Sequence, residues 1–281
     1  MGNILSAPYR YYKGVVFPRV NHLRGSNFIL RNLRRLAFLS IRENIEEEPE
    51  GLKDKEWDNL IILDACRHDF YEEEFGDSDY RITEGSASKE YIKKNFSDQD
   101  FKNTVYITAN PHLYEDIFSD LTGRRPEDVF HTVFNTYEDK WDRQEGTVLP
   151  ESVVKDAITA EKLFPGKRKI IHFMQPHGPF VGVEWDKGKL AKKKRSRNEE
   201  IGVFDEAQIG LIDGERVVEG YRQNLSLLEE GIKELKEKLE GKTVVTADHG
   251  ELLGEGGMYQ HFEGCDAVAL RKVPWDVIQE E

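Results

Sequence analysis

The sequence predicts an α/β fold, a mostly parallel sheet with helices on both faces. Three observations carry this reading. Short apolar runs recur at Asn59–Leu63, 105–108, 169–173 and Thr243–Thr246, and their lengths suit buried strands. Helical patterns separate them at Ser88–Phe96, 152–163 and 214–240. Such alternation implies parallel strands joined by crossover helices. Several strand ends lead straight into chemically capable side chains, namely Asp64, His177 and the pair Asp248-His249. Ligands in open α/β sheets gather at the carboxyl ends of strands.

Each element has its own justification. Residues 1–45 form a basic arm. Arg10, Lys13, Arg19, Arg24, Arg31, Arg34, Arg35 and Arg42 occur there before the first acid, at Glu43. Within it, residues 27–41 read as an amphipathic basic helix with Ser26 as N-cap. Phe28, Ile29, Leu33, Leu36, Phe38 and Leu39 fall near helical spacing, with arginines between them. Residues 26–42 therefore suit peripheral contact with an anionic membrane, and equally suit packing on the domain or a partner subunit. The opening Met1-Gly2 through Ser6 also fits a short myristoylation pattern. The acidic stretch 46–55 reads as a linker, and residues 56–281 as one α/β domain. The last helical pattern, 214–240, carries Leu225, Leu227, Leu228, Ile232, Leu235 and Leu239 on one stripe and ends at Gly241. Residues 184–213, rich in lysine and arginine, read as a charged surface insertion.

Composition narrows the function. The formal net charge is −13. Outside residues 1–42, 32 basic residues face 53 acidic ones, a balance of −21. An acidic body excludes nucleic acid as the natural partner. Two cysteines, Cys66 and Cys265, supply neither a disulfide framework nor zinc-finger spacing. Reduced thiols, no signal-peptide pattern and no run of about 18 apolar residues lead to the expectation of a cytoplasmic protein, peripheral on the inner membrane face.

The most informative stretch is Asp248-His249-Gly250-Glu251, continued by Gly254, Glu255, Gly257, Tyr259 and His261. A carboxylate and an imidazole converging at a strand end suit Zn²⁺ or Mn²⁺ better than Ca²⁺ or Mg²⁺. Ser88 opens a helix, where backbone N–H groups attract an anion. A divalent metal beside its hydroxyl would lower the hydroxyl pKa and make it nucleophilic. Ser88 taken alone fits an N-cap equally well.

These residues resemble the alkaline phosphatase superfamily, in its sulfatase and phosphoethanolamine-transferase branch. The Asp248–His261 block is similar to the Asp-His-Gly-Glu block of lipid A phosphoethanolamine transferases and lipoteichoic acid synthases. Gln175-Pro176-His177-Gly178-Pro179-Phe180 resembles the family's His-x-Pro-Tyr motif, with Phe180 in place of Tyr. The run to Asp64, followed by Arg67 and Asp69, resembles the first strand of sulfatases, and Gly85-Ser86-Ala87-Ser88 the nucleophile turn.

The resemblance implies that Asp64, Ser88, Asp248 and His249 hold a divalent ion, with Ser88 as nucleophile. It implies that His177 and His261 bind the ester oxygens, a second ion or the leaving group. Arg67 either supports the substrate anion or braces its loop. Two departures matter. The Asp-x-x-x-His pair of two-metal phosphatases is absent between Ser88 and Asp248. Neither cysteine lies in a formylglycine motif, so arylsulfatase chemistry is not expected, and Cys66 reads as a packed residue. The expected activity is hydrolysis of an anionic phosphate diester or sulfate ester, lipid- or glycan-linked. The alternatives are transfer of phosphoethanolamine or a similar group, and an inactive member that binds an anion or a partner.

Overall fold

The computed structural model describes residues 45, 47–183, 202–208 and 210–280. Residues 1–44 of the basic arm, with its expected membrane helix, lie outside the described residues, as do residues 184–201. The strands are β1 (Asn59–Leu63), β2 (Asp79–Ile82), β3 (Phe101–Thr108), β4 (Phe130–Asn135), β5 (Trp141–Asp142), β6 (Thr147–Val148), β7 (Arg168–Phe173), β8 (Thr243–Thr246), β9 (Leu252–Leu253), β10 (Tyr259–Gln260) and β11 (Lys272–Gln279). The main helices are α1 (His68–Phe75), α2 (Ser88–Phe96), α3 (Glu115–Thr122), α4 (Pro150–Leu163), α5 (Val203–Gln208), α6 (Gly214–Ser226) and α7 (Glu229–Lys238).

Seven strands form one sheet in the order β2-β11-β8-β1-β7-β3-β4. The five from β8 to β4 run parallel, and β11 is antiparallel to both β8 and β2. The mostly parallel sheet predicted from the sequence is thus present.

Side-chain alternation explains why helices cover both faces. Ile61, Leu63, Val105, Ile107, Ile171, Phe173 and Val245 point to one face, where α4, α6 and α7 bring Val154, Ala157, Tyr221, Leu225 and Leu235. Leu60, Ile62, Tyr106, Ile170 and Val244 point to the other, against Tyr91, Ile92 and Phe96 of α2 and Phe118 of α3. Burying each such large side chain contributes on the order of 1.5–3 kcal/mol.

The structure differs from the sequence reading in four places. The helix read over 214–240 is two helices, α6 and α7, joined at Leu227-Leu228. Leu227 is 43% exposed there, whereas Leu225, Leu228, Ile232, Leu235 and Leu239 are buried. A helical stripe drawn straight through the joint misassigns Leu227, because the joint shifts the phase of the turn. Part of the stretch read as linker is packed: Leu52 is buried and accepts a backbone hydrogen bond from the Trp57 indole. The described end of the stretch read as insertion is also packed, since α5 buries Phe204 and Ala207. Finally, the sheet has three strands the pattern did not reveal. β11 carries Pro274 and Asp276, and β2 is short and charged, so neither shows an apolar run. β4 holds mostly half-buried residues.

Candidate metal and nucleophile site

The carboxyl ends of β1, β3, β7 and β8 open on one side of the molecule, and α2 begins above them. Asp64 follows β1 directly. The next residue, Ala65, has φ 62°, a left-handed conformation that costs a residue with a Cβ roughly 1–2 kcal/mol. Two contacts hold this turn. Ala65 N donates to Asp248 Oδ1 at 3.1 Å. The Tyr221 hydroxyl donates to Ala65 O at 2.7 Å and accepts from Arg67 N at 3.0 Å. The first strand end is therefore tied to the second by the Asp248 side chain itself.

Asp248 and His249 follow β8, and both are fully buried. Asp248 Oδ1 also accepts from His249 N at 3.0 Å. His249 Nδ1 sits 2.8 Å from Gly250 O. A carbonyl can only accept, so Nδ1 carries the proton and Nε2 presents a lone pair. That Nε2 lies 3.1 Å from Ser88 Oγ, 3.4 Å from Asp248 Oδ2 and 3.9 Å from Asp64 Oδ1.

Ser88 opens α2, and its N-cap is Ala87. Capping falls to neighbours: Ser86 N and Oγ both donate to Glu90 Oε2, at 3.0 and 2.9 Å. The Ser88 hydroxyl is thereby spared, and it faces Asp64 Oδ2 at 3.4 Å. Gly85 makes this turn possible, because a Cβ there would collide with the backbone of Tyr91.

A second cluster adjoins the first. Glu251 is fully buried between His177 and His261. His261 Nδ1 lies 3.1 Å from Glu251 Oε1, and His177 Nε2 lies 4.0 Å from Glu251 Oε2. The rings of His249 and His261 are 4.1 Å apart at their centroids, which joins the clusters.

Electrostatics differ between the clusters. Burial raises the Asp64 carboxyl pKa, but His172, His177 and His249 outweigh it and hold the group well below the usual carboxylate range. Burial pushes Glu251 up to about 8, against the opposing pull of His177 and His249. Burial also lowers His261 to about 4, with His177 adding to the effect. His177 itself is raised, because Asp64 and Glu251 overcome its burial. A buried carboxylic acid flanked by two imidazoles of opposite tendency can hold or release a proton near neutrality.

The residues of the first cluster fit a divalent ion. Asp248 Oδ2 is buried and has no hydrogen-bond partner among the described groups, an expensive condition for a carboxylate unless a cation completes it. Three of these separations, 3.1–3.4 Å, match the roughly 3–3.7 Å that bonds of about 2.0–2.2 Å around one ion produce, and the fourth, 3.9 Å, is slightly wider.

The structure thus brings Asp64, Ser88, Asp248 and His249 to one point, with His177 and His261 beside it. Arg67 is placed differently. Its guanidinium bonds Asp69 at 2.9 and 2.6 Å, Glu255 at 2.5 Å and the Glu251 carbonyl at 3.3 Å, which ties the first loop to the Gly-rich one.

Three neighbours escaped the sequence reading. Asn110 follows β3 and donates to Asp64 Oδ2 at 2.7 Å, a position the strand-end rule points to. Glu251 lies inside the motif. His172 interrupts the apolar run of β7 with a fully buried polar side chain, and that interruption was its signal.

No family model and no curated protein matches this sequence. Solved structures do. The integral membrane protein lipooligosaccharide phosphoethanolamine transferase A from Neisseria meningitidis is similar over 96% of this chain, at 14% identity and a TM-score of 0.51. The chain spans 59% of that protein's length. The soluble domain of the same transferase matches 78% of this chain over 75% of its own, with 14% identity and a TM-score of 0.49. A lipoteichoic acid synthase from Listeria monocytogenes matches 90% of this chain over 72% of its own, at 10% identity and a TM-score of 0.45. The first of these likenesses shows the fold: this chain is folded like lipooligosaccharide phosphoethanolamine transferase A.

Proposed function

We propose that this protein is a divalent-metal-dependent enzyme that cleaves an anionic phosphate diester or sulfate ester, with Ser88 as the nucleophile. The observation that carries the reading is the position of Ser88 Oγ. It sits at a helix N-terminus, 3.1 Å from His249 Nε2 and 3.4 Å from Asp64 Oδ2.

Asp64, Asp248, His249 and Ser88 would hold the ion. Zn²⁺ or Mn²⁺ suits their donor set. When bound, such an ion supplies Lewis acidity, lowering the serine pKa and offsetting charge on the ester oxygens by several kcal/mol. Ser88 gives its hydroxyl proton to solvent, its Oγ attacks the phosphorus or sulfur in line, and a covalent seryl ester forms as the bond to the leaving oxygen breaks; attack of the acceptor on that ester then frees the serine. His177 and His261 line the same opening, with Glu251 behind them as a shared proton store. One of these imidazoles delivers a proton to the leaving oxygen, and the other orients the incoming acceptor. Asn110 holds Asp64 in place throughout.

The acceptor decides the reaction class. Water makes the protein a hydrolase. An acceptor hydroxyl or amine makes it a transferase, a reading favoured by the fold likeness to a phosphoethanolamine transferase. The test is turnover of nitrophenyl phosphate, bis-nitrophenyl phosphate and nitrophenyl sulfate by Zn²⁺- or Mn²⁺-loaded protein. Peptide mass spectrometry would look for an ester on Ser88, with and without an added acceptor. Unchanged activity after Ser88→Ala would refute the nucleophile.

Residues 26–42 would bring this site to lipid-linked substrates at the inner membrane face, by pairing arginines with anionic headgroups. Flotation with anionic but not neutral vesicles tests that part. Among the described residues no helix is long and apolar enough to cross a membrane.

A further inference from the structure

We infer that His172 is a fifth ligand to the ion, binding through Nε2, and that Tyr106 holds its ring in the metal-binding tautomer. The inference rests on the metal reading given above and adds to it.

Strand parity places His172 under the site. In the sheet, Ile62 of β1 pairs with both His172 of β7 and Thr246 of β8. Side chains alternate with a period of two. Asp64 and Asp248 lie two residues beyond Ile62 and Thr246, so all of these side chains leave the sheet on one face. That is the face covered by α2, whose first residue is Ser88. Asp64, Asp248, His249 and Ser88 converge from the strand ends and from the start of α2. The imidazole of His172 lies one layer below, beside both carboxylates.

Distances agree. His172 Nε2 lies 3.5 Å from Asp64 Oδ2 and 3.8 Å from Asp248 Oδ2. Both are long for a hydrogen bond. The first falls within the ligand-to-ligand spacing given above and the second just beyond it. Neither His172 Nε2 nor Asp248 Oδ2 has a hydrogen-bond partner among the described groups. A histidine that only steadied a carboxylate would instead place an N–H within about 3.2 Å of one of its oxygens.

The far side of the ring is also accounted for. Tyr106 OH lies 3.0 Å from His172 Nδ1. Metal-binding histidines donate their second ring N–H to an oxygen, which fixes the tautomer and the ring plane. Here Nδ1–H donates to the phenol oxygen and leaves the Nε2 lone pair directed at the ion. Tyr106 and His172 are both fully buried, so no water competes for either role.

Two imidazoles and three oxygens make a more nitrogen-rich set than the four residues read from the sequence. This biases the site toward Zn²⁺ and other transition ions and against Ca²⁺ and Mg²⁺.

The experiment uses the full chain, stripped of metal and reloaded with one equivalent of Zn²⁺. Chelator competition gives affinity, and X-ray absorption at the zinc edge counts bound imidazoles. We expect two imidazoles in the unaltered protein, and still two after His177→Gln with His261→Gln. His172→Gln should leave one and weaken binding by more than about 100-fold, since even outer-shell partners cost about 10–100-fold. Tyr106→Phe should keep two imidazoles and lose about 10-fold. One imidazole in the His177→Gln/His261→Gln protein overturns the inference without requiring any change at His172. So does a His172→Gln protein whose affinity stays within 100-fold. Failure of the unaltered protein to bind Zn²⁺ or Mn²⁺ at all would instead defeat the metal reading beneath it.

Discussion

Ser88 Oγ and His249 Nε2 lie 3.1 Å apart although 161 positions separate them in the chain. The contact joins the first turn of α2 to the end of β8, and no local interaction could create it. Its chemical consequence is testable. Ser88→Ala removes the nucleophile and leaves the residues around it in place. Turnover should fall by a factor on the order of 10⁶, as it does when a hydroxyl nucleophile is removed elsewhere. Thermal stability should change little, and bound metal should remain. Steady-state rates and metal content measured on one preparation check both halves.

Metal removal should destabilise the fold. Asp64, Asp248 and His249 come from two strand ends, and burial leaves the two carboxylates poorly solvated without a cation. An ion present at 100 times its dissociation constant adds about 2.7 kcal/mol, or a rise of roughly 5–10 °C in Tm for a domain of this size. Differential scanning calorimetry with and without chelator reads this. An unchanged Tm would contradict a shared ion.

Gly250 governs the shape of the Asp248-His249 corner. Its N donates to Leu270 O at 2.9 Å, and a Cβ would run into the carbonyl of Ala269. Gly250→Ala should therefore cost about 1–3 kcal/mol and weaken metal binding together with activity. Gly202 has open space around it, so Gly202→Ala serves as a control expected to change nothing. Chemical denaturation midpoints for the two variants make the comparison.

The joint between α6 and α7 separates two adjacent leucines. Leu228 is fully buried and Leu227 is 43% exposed. Leu228→Ala should cost about 2–5 kcal/mol, and Leu227→Ala should stay within about 0.5 kcal/mol. Equal costs would mean that one continuous helix runs through this region.

Cys66 and Cys265 are both fully buried. Burial pushes the Cys66 thiol well above its ordinary pKa, and Asp69 and Asp248 push in the same direction. Since the thiolate is the reactive form, native protein at pH 8 should resist iodoacetamide, whereas unfolded protein should take two equivalents. Intact mass measures the difference, and rapid native labelling of Cys66 would mean that the loop after β1 opens.

The alternation of apolar runs with helical periods, and the Asp-His-Gly-Glu block, were legible in the chain alone. They determined the fold class, four strands of the sheet and the span of α2, and they singled out the Asp248-His249 corner that the structure places beside Asp64 and Ser88. Such signals are local, because strand burial and helical spacing are written in neighbouring residues. The edge strands were not legible. β11 carries Pro274 and Asp276 and gains its place by pairing with β8 and β2, not by hydrophobicity of its own.

Tertiary structure alone decided three further matters. It placed Asn110 on Asp64, buried Glu251 between His177 and His261, and set His172 beneath the carboxylates. Each depends on which strands lie side by side, and that order is settled by loop closure and packing over long separations. A histidine in an apolar run shows that something polar must be satisfied there. Only the neighbouring strands show by what.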